Sequence, residues 1–288
     1  MIDRNKNILI VGLGLLGGCY AMALSRQGYR VTAMDIEPDS IAYAMEQGLI
    51  AAGTAEADSA EGAALIGEAD VLISGLYPTT MVEWLGKYQS QFRPGLLITD
   101  VSGVKRSVVC RVQDMLRSDV EFIGSHPMAG REVGGVRNSN DAIFRDANFI
   151  VTPTGRNTPG AVEFAKELGA LLGFARISVL SPEEHDRMIG YLSQLTHAIA
   201  VSLMNANGSP HLVEYTGDSF RDLTRIAKIN ETLWYELFTL NKDMLVPEID
   251  SFIAALEDLK QKLAAGDEAG LKRLFIQSTE RRKQFDRK

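Results

Sequence analysis

A glycine-rich turn directly after the first apolar run restricts the fold of this chain more than any other sequence feature. The run Ile8–Val11 leads into a Gly-x-Gly-x-x-Gly pattern, whose residues are Gly12, Leu13, Gly14, Leu15, Leu16 and Gly17. In such a turn the first glycine permits a tight bend, the second lets a ligand approach the backbone, and the third lets a helix pack closely on the strand. The pattern therefore predicts a strand, a turn and a helix whose N-terminus favours negative charge.

An acidic residue at the end of the next apolar run extends this pattern. The run Arg30–Met34 is typical of a second strand, and Asp35 follows it, 18 positions after Gly17. Its carboxylate can accept from the ribose hydroxyls of a dinucleotide but would repel a 2′-phosphate, so the sequence favours NAD over NADP. The alternative is a turn that merely ends a strand, followed by an incidental acid. The ordered series of strand, turn, helix, strand and acid argues against it.

Short β-rich runs alternate with amphipathic stretches up to about Leu180. The later runs are Val71–Leu76, Leu96–Val101, Glu121–Gly124, Asn148–Val151 and Arg176–Leu180. Runs without polar alternation indicate strands that crossover helices bury on both faces. We therefore expect a Rossmann-type, doubly wound parallel α/β sheet over residues 1–180, with NAD as its cofactor.

The pattern changes to helical spacing at Ser181-Pro182-Glu183-Glu184. The serine can cap a helix, the proline suits its first turn and the second glutamate completes a capping box, so a long helix is predicted to about Asn207. Further helices are expected from about Asp218, with breaks near Val246-Pro247 and Ala265-Gly266-Asp267. Residues 181–288 are thus expected to form an all-helical domain.

The predicted helical domain carries more apolar residues than one small bundle needs to bury. They recur at helical spacing at Leu233, Leu237, Leu240, Leu245, Ile249, Phe252, Ile253 and Leu256. Core packing explains part of this set. A second copy of the chain can cover the remainder, so we expect a homodimer formed through the helical domain.

Composition excludes several classes of partner. The net charge of −7 disfavours binding to nucleic acid or to an anionic membrane. Cys19 and Cys110 lie far apart, which argues against a disulfide scaffold or a metal site. The N-terminus lacks the order of a signal peptide, and no apolar run approaches the roughly 20 residues of a membrane span. A cytoplasmic protein that acts on a small molecule is expected.

Two polar segments follow predicted strands and are therefore placed for chemistry. They are Asp100–Lys105 and Ser125–Glu132, and the second contains His126. The carboxyl ends of strands in an open α/β sheet border the crevice where ligands bind. An isolated histidine there is often a turn residue bonded to backbone. The glycines, proline and charges around His126 favour an ordered loop beside the nicotinamide end of the cofactor.

Three segments carry a specific resemblance. They are Gly124-Ser125-His126-Pro127-Met128-Ala129-Gly130-Arg131-Glu132, Ser193-Gln194-Leu195-Thr196-His197-Ala198-Ile199-Ala200 and Phe220-Arg221-Asp222-Leu223-Thr224-Arg225-Ile226-Ala227. Together with the glycine-rich turn, and in this order, they resemble the prephenate and arogenate dehydrogenase family. The motifs cover most of the chain.

The resemblance implies NAD-dependent oxidative decarboxylation of prephenate to 4-hydroxyphenylpyruvate, a step of tyrosine biosynthesis. His126 matches the catalytic histidine and would accept the hydroxyl proton as general base. Arg225 matches the arginine that binds the side-chain carboxylate of the substrate, and His197 matches a histidine of the substrate site. The resemblance thus implies that residues 181–288 bind the substrate. The reaction needs no metal, and the sequence offers no metal-ligating cluster.

Other positions match the family less closely. Ser102 is a second catalytic candidate, but the family often carries serine directly before a Val-Lys pair, where Gly103 stands here. Glu132 and Trp234 are candidates to border the substrate pocket, and a core position also explains Trp234. His185 and His211 receive no role.

Structural explanations also exist for the two candidates on helices. His197 stands among apolar residues, where a histidine is often a hydrogen-bonded core residue. Arg225 lies three positions after Asp222, a spacing that favours a surface ion pair. Thr196 occupies the place where proline commonly precedes the second histidine, which alters the expected bend of the helix but leaves His197 in place.

Three other functions remain open at the level of sequence. An arogenate dehydrogenase shares the fold and most motifs but accepts an amino group where prephenate has a keto group. A β-hydroxyacid dehydrogenase shares the glycine-rich turn but typically relies on a helix-borne lysine. A non-catalytic NAD-binding regulator needs the turn alone, and the joint presence of His126, His197 and Arg225 would then be accidental.

Overall fold

The computed structural model describes residues 2–130 and 133–285. Its strands are β1 (Asn7–Val11), β2 (Arg30–Met34), β3 (Ala52–Thr54), β4 (Val71–Ser74), β5 (Leu97–Asp100), β6 (Glu121–Pro127), β7 (Asn148–Thr152) and β8 (Arg176–Val179). Its α-helices are α1 (Leu15–Arg26), α2 (Pro38–Glu46), α3 (Ala60–Glu68), α4 (Pro78–Tyr88), α5 (Arg106–Met115), α6 (Pro159–Leu171), α7 (Pro182–Ile189), α8 (Thr196–Asn205), α9 (Asp218–Thr224), α10 (Glu231–Leu240), α11 (Lys242–Ala264) and α12 (Glu268–Arg282).

The strands form a sheet in the order β3-β2-β1-β4-β5-β6-β7-β8. Strands β1 to β6 pair in parallel, and the order reverses at β1, which lies between β2 and β4. Ligands in such sheets bind outside the carboxyl ends of the strands at this reversal. The predicted doubly wound α/β sheet is confirmed, and β3, whose short Ala-Gly-Thr sequence gave no strand signal, adds to it.

Strand β6 differs from the prediction in length and in pairing. It runs to Pro127 and pairs antiparallel with β7, so that His126 lies opposite Ile150. The expectation of an entirely parallel sheet is therefore wrong at this one pair, and His126 belongs to the end of a strand rather than to the loop after it. The ladder with β7 continues β6 through a polar segment that has no strand signal of its own.

Both faces of the sheet are buried, as the apolar runs predict. Along β1, Ile8 and Ile10 pack into one hydrophobic cluster, while Leu9 and Val11 pack into the other. This alternation follows from the two-residue period of a strand. The helices on the two faces therefore fix the carboxyl ends of the strands, where the candidate site residues lie.

The long helix predicted from Ser181 is present, but one π-helical turn interrupts its α-helical geometry. The side chain of Ser181 accepts from the backbone of Glu184, whose carboxylate accepts from Ser181 in return, which confirms the capping box. Helix α7 then passes through a π-helical turn, Gly190–Leu195, into α8. Such turns insert an extra residue and are frequent at functional sites.

The predicted break at Val246-Pro247 is wrong, whereas the break near Gly266 is confirmed. Pro247 lies inside α11, the sixth residue of the helix, where its missing N–H removes a single bond near the N-terminus. Gly266 has φ of +67°, and Asp267 caps α12 by accepting from the backbone N–H of Gly270. Helix α11 therefore ends where a left-handed residue is required.

By packing, the chain divides after Asn241 into two compact units, residues 1–241 and 242–288. The domain boundary predicted at residue 180 does not coincide with this division. That boundary separates the residues expected to bind NAD from the helical residues after them, and it stays a prediction. Among the described residues, no helix combines the length and apolar character that crossing a bilayer requires.

Candidate active site

The glycine-rich turn joins β1 to α1 in a conformation that requires glycine at two positions. Gly12 has φ of +93°, and its N–H donates to Met34 of β2 at 2.7 Å. A Cβ placed on Gly17 would overlap the carbonyl oxygen of Gly12. Any side chain there would push α1 away from the strand, so this glycine permits the close approach that the sequence predicted.

Gly14 lies in a different environment. It is the N-cap of α1 and supplies no side-chain cap. Within the described residues, a Cβ placed on Gly14 would meet no atom within 4 Å. The first-turn amides of α1 therefore face an open cradle that a methyl group would begin to fill. Such a cradle suits the pyrophosphate of a dinucleotide, which helix N-terminal amides bind well.

Asp35 connects the turn to the end of β2. Its Oδ2 accepts from the backbone N–H of Leu13 at 2.6 Å, and its Oδ1 accepts from that of Glu37 at 2.9 Å. Each carboxylate oxygen has two acceptor sites, so both can still accept from ribose hydroxyls. These residues fit a nicotinamide dinucleotide.

A buried ion pair lies under the neighbouring strand ends. Lys105 is fully buried, and its Nζ donates to Asp100 Oδ2 at 2.6 Å, to the Ser102 carbonyl at 2.8 Å and to Ser102 Oγ at 3.0 Å. The other oxygen of Asp100 accepts from the N–H of Ser125 at 2.9 Å. Burial lowers the pKa of Lys105, and the nearby Asp100 opposes this shift. The ion pair fixes the loop that links β5 to α5.

The structure places Ser102 within this ion-pair cluster. Its hydroxyl donates to the Asp100 carboxylate and lies 3.1 Å from the carbonyl oxygen of Val104, and only 6% of the residue is exposed. The loop residue beside His126 is instead Gly103, where an added Cβ would lie 3.7 Å from His126 Nε2. The geometry gives Ser102 a role in holding the loop.

His126 lies at the end of β6 with its ring partly accessible. Its Nδ1 is 2.8 Å from Nε2 of His185, and the two rings meet at 63°. The pKa of His126 is well below its ordinary value of 6.5 because burial disfavours the imidazolium, and because His185 and Lys105 lie nearby. A low pKa favours the neutral form of the imidazole, which is the form that can accept a proton.

His185 and Asp186 were missed by sequence reasoning. His185 is fully buried, and its Nδ1 lies 2.7 Å from Asp186 Oδ1. The carboxylate of Asp186 also accepts from the backbone amides of Lys105 and Arg106, each at 2.8 Å. His126 and His185 are 59 positions apart, so no local spacing could have linked them.

Further hydrogen bonds hold α7 to the end of α10. Asn241 Nδ2 donates to the backbone carbonyl of Asp186 at 2.9 Å and to Gln194 Oε1 at 2.8 Å. Gln194 Nε2 donates in turn to the Leu237 carbonyl at 2.9 Å. Gln194 belongs to the π-helical turn, so this turn places a side-chain amide where it can donate to the backbone of α10.

His197 and Trp234 contact one another directly. Their rings stack with centroids 3.7 Å apart and planes at 29°. Nδ1 of His197 lies 2.8 Å from the carbonyl oxygen of Ser193, one turn earlier in the helix. One turn after Trp234, the Leu237 side chain would lie 3.5 Å from a Cβ on Gly103, so α10 borders the loop beside His126.

Arg225 begins the 3₁₀ turn Arg225–Ala227, which packs against α8, the helix that carries His197. The arginine is exposed on the chain. Glu132, the other predicted substrate contact, lies outside the described residues. The structure thus brings His197 together with Trp234, and His126 together with Gly103 and His185.

Comparisons with known proteins agree with this arrangement. The model of the prephenate dehydrogenase nucleotide-binding domain matches residues 20–178, and that of the prephenate dehydrogenase dimerization domain matches residues 181–277. Prephenate dehydrogenase from Bacillus subtilis is 32% identical over 286 residues, covering 96% of this chain and 75% of the relative. Prephenate dehydrogenase from Lactococcus lactis is 27% identical, covering 94% of this chain and 75% of the relative.

A solved structure shares the whole fold. The prephenate dehydrogenase of Aquifex aeolicus, crystallised with hydroxyphenyl propionate and NAD⁺, superposes with a TM-score of 0.90 and 29% identity, covering 99% of this chain and 100% of that one. The two family models together span most of the sequence, which favours this assignment over a β-hydroxyacid dehydrogenase. The chain belongs to the prephenate dehydrogenase family.

Proposed function

We propose that this chain oxidises prephenate with NAD⁺ to 4-hydroxyphenylpyruvate and CO₂. Membership of the family supports the reaction class. The observation that carries the proposal is the placement of His126 at the carboxyl end of β6, with its Nε2 beside Gly103 and with its pKa lowered by burial. A general base in this position suits removal of a proton from an alcohol.

The chemistry follows from the charge changes of the substrate. Bound NAD⁺ would accept the hydride that leaves the ring carbon bearing the hydroxyl. His126 Nε2 takes the hydroxyl proton as the carbon–oxygen bond becomes a carbonyl, which contributes about 10²- to 10⁴-fold to the rate. The resulting ring ketone is conjugated through the ring to the carbon that bears the carboxylate. The carboxylate leaves as CO₂, its bonding electrons make the ring aromatic, and the former carbonyl oxygen takes up a proton.

The helical residues hold the substrate in this proposal. Arg225 binds the side-chain carboxylate, because a guanidinium pairs with a carboxylate through two parallel hydrogen bonds. His197, stacked on Trp234, contributes a ring to the substrate site. Fixing the ring in this way contributes through orientation rather than through chemistry.

The turnover experiment mixes purified protein with NAD⁺ and prephenate, and follows NADH and CO₂ together. We expect equal amounts of both. Parallel reactions replace prephenate by arogenate and NAD⁺ by NADP⁺, and the Asp35 carboxylate predicts poor activity with NADP⁺. NADH without CO₂ would contradict the proposed decarboxylation. No turnover with either substrate would contradict the proposed reaction and leave a nucleotide-binding regulator.

Two glycines of the turn, Gly14 and Gly17, provide a matched pair of substitutions for the cofactor site. Gly14→Ala should leave the melting temperature unchanged, because its backbone is extended and its Cβ meets open space. It should weaken NAD⁺ binding about tenfold or more, the equivalent of one lost hydrogen bond to a charged group. Gly17→Ala should lose both stability and affinity, because its Cβ overlaps Gly12. Calorimetric titration and thermal unfolding check both variants, and unchanged affinity in Gly14→Ala would contradict the cradle.

The pH dependence of kcat/KM follows from the low pKa of His126. The base must be neutral to accept a proton, so a lowered pKa keeps it active at lower pH. We expect kcat/KM to remain constant on acidification through the ordinary imidazole value of 6.5 and to fall only below it. Initial rates across a pH series at constant ionic strength measure this. A decline centred at or above 6.5 would show that burial does not govern the base.

Replacement of Arg225, the residue proposed to bind the side-chain carboxylate, should raise KM more than it lowers kcat. Arg225→Ala is expected to raise the KM for prephenate roughly 10- to 150-fold, the effect of about 1.5–3 kcal/mol for a hydrogen bond to a charged group. The fall in kcat should be smaller. Arg221→Ala on α9 is a suitable control, because Arg221 forms an exposed pair with Asp218. Equal KM values in the two variants would exclude Arg225 as the residue that binds the substrate carboxylate.

We also propose a cytoplasmic homodimer formed through residues 181–288. Large apolar side chains on α11 and α12 are exposed on the single chain, namely Ile253, Leu256, Leu263, Phe275 and Ile276. Exposed apolar surface of this kind marks an interaction site. The match of this region to a dimerization domain supports a second copy as its partner.

A further inference from the structure

We infer that His185 is a positioning residue that holds His126 in the tautomer with Nδ1 protonated and Nε2 free to accept a proton. The three groups form a line from the substrate side inward: His126, His185 and Asp186. This role rests on the proposed function of His126 as the base.

Asp186 fixes the first proton. Its two oxygens accept from the backbone N–H groups of Lys105 and Arg106, at 2.8 Å each, and these donors cannot reverse. An ionised carboxylate only accepts hydrogen bonds. Because Asp186 Oδ1 lies 2.7 Å from His185 Nδ1, that nitrogen carries the hydrogen and donates to Asp186.

His185 then fixes the second proton. Burial lowers its pKa, against the opposing effect of Asp186, so the ring is neutral with one N–H. That hydrogen is on Nδ1, which leaves a lone pair on Nε2. At 2.8 Å the only compatible arrangement is donation from His126 Nδ1 to His185 Nε2. Hydrogen-bonded neighbours set the tautomer of a histidine in this way.

The remaining nitrogen of His126 is therefore the base. Its Nε2 carries a lone pair and faces Gly103, where the loop presents no side chain. After it accepts a proton, the ring becomes an imidazolium whose Nδ1–H still donates to His185. That bond, with the Asp186 carboxylate beyond it, stabilises the new positive charge. The nearby Lys105 opposes this charge, but Lys105 is itself paired with Asp100.

Two substitutions of His185 separate this role from simple packing. In His185→Gln, the amide oxygen can stand near the former Nε2 and accept from His126 Nδ1. In His185→Asn, the shorter amide can donate to Asp186 but does not reach His126. A packing role predicts similar losses in both variants, whereas tautomer control predicts a difference.

The test combines kinetics with ¹⁵N NMR of the histidine rings in the full chain. The wild-type protein should show His126 protonated at Nδ1. His185→Asn should lose this preference and reduce kcat about 10- to 100-fold with little change in KM, the usual cost of losing a supporting partner. His185→Gln should keep the tautomer and recover most of the rate. NAD⁺ affinity and melting temperature confirm folding of each variant.

The outcomes are distinguishable. A wild-type His126 protonated at Nε2, or equal rates in the Gln and Asn variants, would overturn the role of His185. Absence of prephenate turnover in the wild-type protein would instead overturn the proposed function, and the NMR result would still decide whether His185 sets the tautomer.

Discussion

Replacing His126 with Asn should lower kcat by about 10²- to 10⁴-fold, the usual contribution of a general base. The amide nitrogen of Asn can take the place of Nδ1 and donate to His185, so the buried line of hydrogen bonds is largely retained. Only the proton acceptor at Nε2 is lost. Stopped-flow or steady-state NADH formation measures the change, with NAD⁺ affinity expected to stay the same.

His211 provides a control for that substitution. It is exposed and lies 2.8 Å from Glu214, so it resembles a histidine paired with an acid but is not placed in the site. His211→Asn should leave kcat unaltered. If His126→Asn turned over prephenate as fast as His211→Asn, another group would have to be the base.

The second large effect concerns stability. Lys105→Met removes the cation of a fully buried pair and leaves the Asp100 charge uncompensated. Loss of one partner from such a pair costs about 3–5 kcal/mol. At roughly 2–4 °C per kcal/mol for a chain of this size, the melting temperature should fall by about 6–20 °C. Thermal and urea unfolding measure the loss.

An exposed ion pair supplies the comparison for Lys105. Lys87 lies 2.8 Å from Asp58, and both side chains are more than half exposed. Solvent screening limits such pairs to about 0–1 kcal/mol, so Lys87→Met should change the melting temperature little. Similar decreases in melting temperature in both variants would mean that the buried Lys105 pair contributes no more to stability than an exposed pair.

Local signals in the sequence predicted the parts of the fold that local chemistry determines. The glycine-rich turn, the acid after β2 and the capping box at Ser181 each combine a few neighbouring residues with one backbone geometry. The run Ile8–Val11 before the turn predicts strand β1. Each residue of this run is apolar because both faces of the strand are buried. These features appear where they were expected.

Other features depend on contacts between distant residues. Strand β6 extends through His126 because β7 pairs with it, and Pro247 remains inside α11 because only one hydrogen bond is lost near the helix start. The lowered pKa of His126 depends on burial and on His185 and Lys105, which come from other segments of the chain. Sequence proposed His126 as the base but could not supply its partners.

A crystal structure of the protein with NAD⁺ and 4-hydroxyphenylpyruvate tests the central claim most directly. The account predicts that His126 Nε2 lies within about 2.6–3.2 Å of the product hydroxyl. The same structure should retain the bond from His126 Nδ1 to His185. A product hydroxyl held by some other side chain, with the His126 ring turned away from it, would contradict the account.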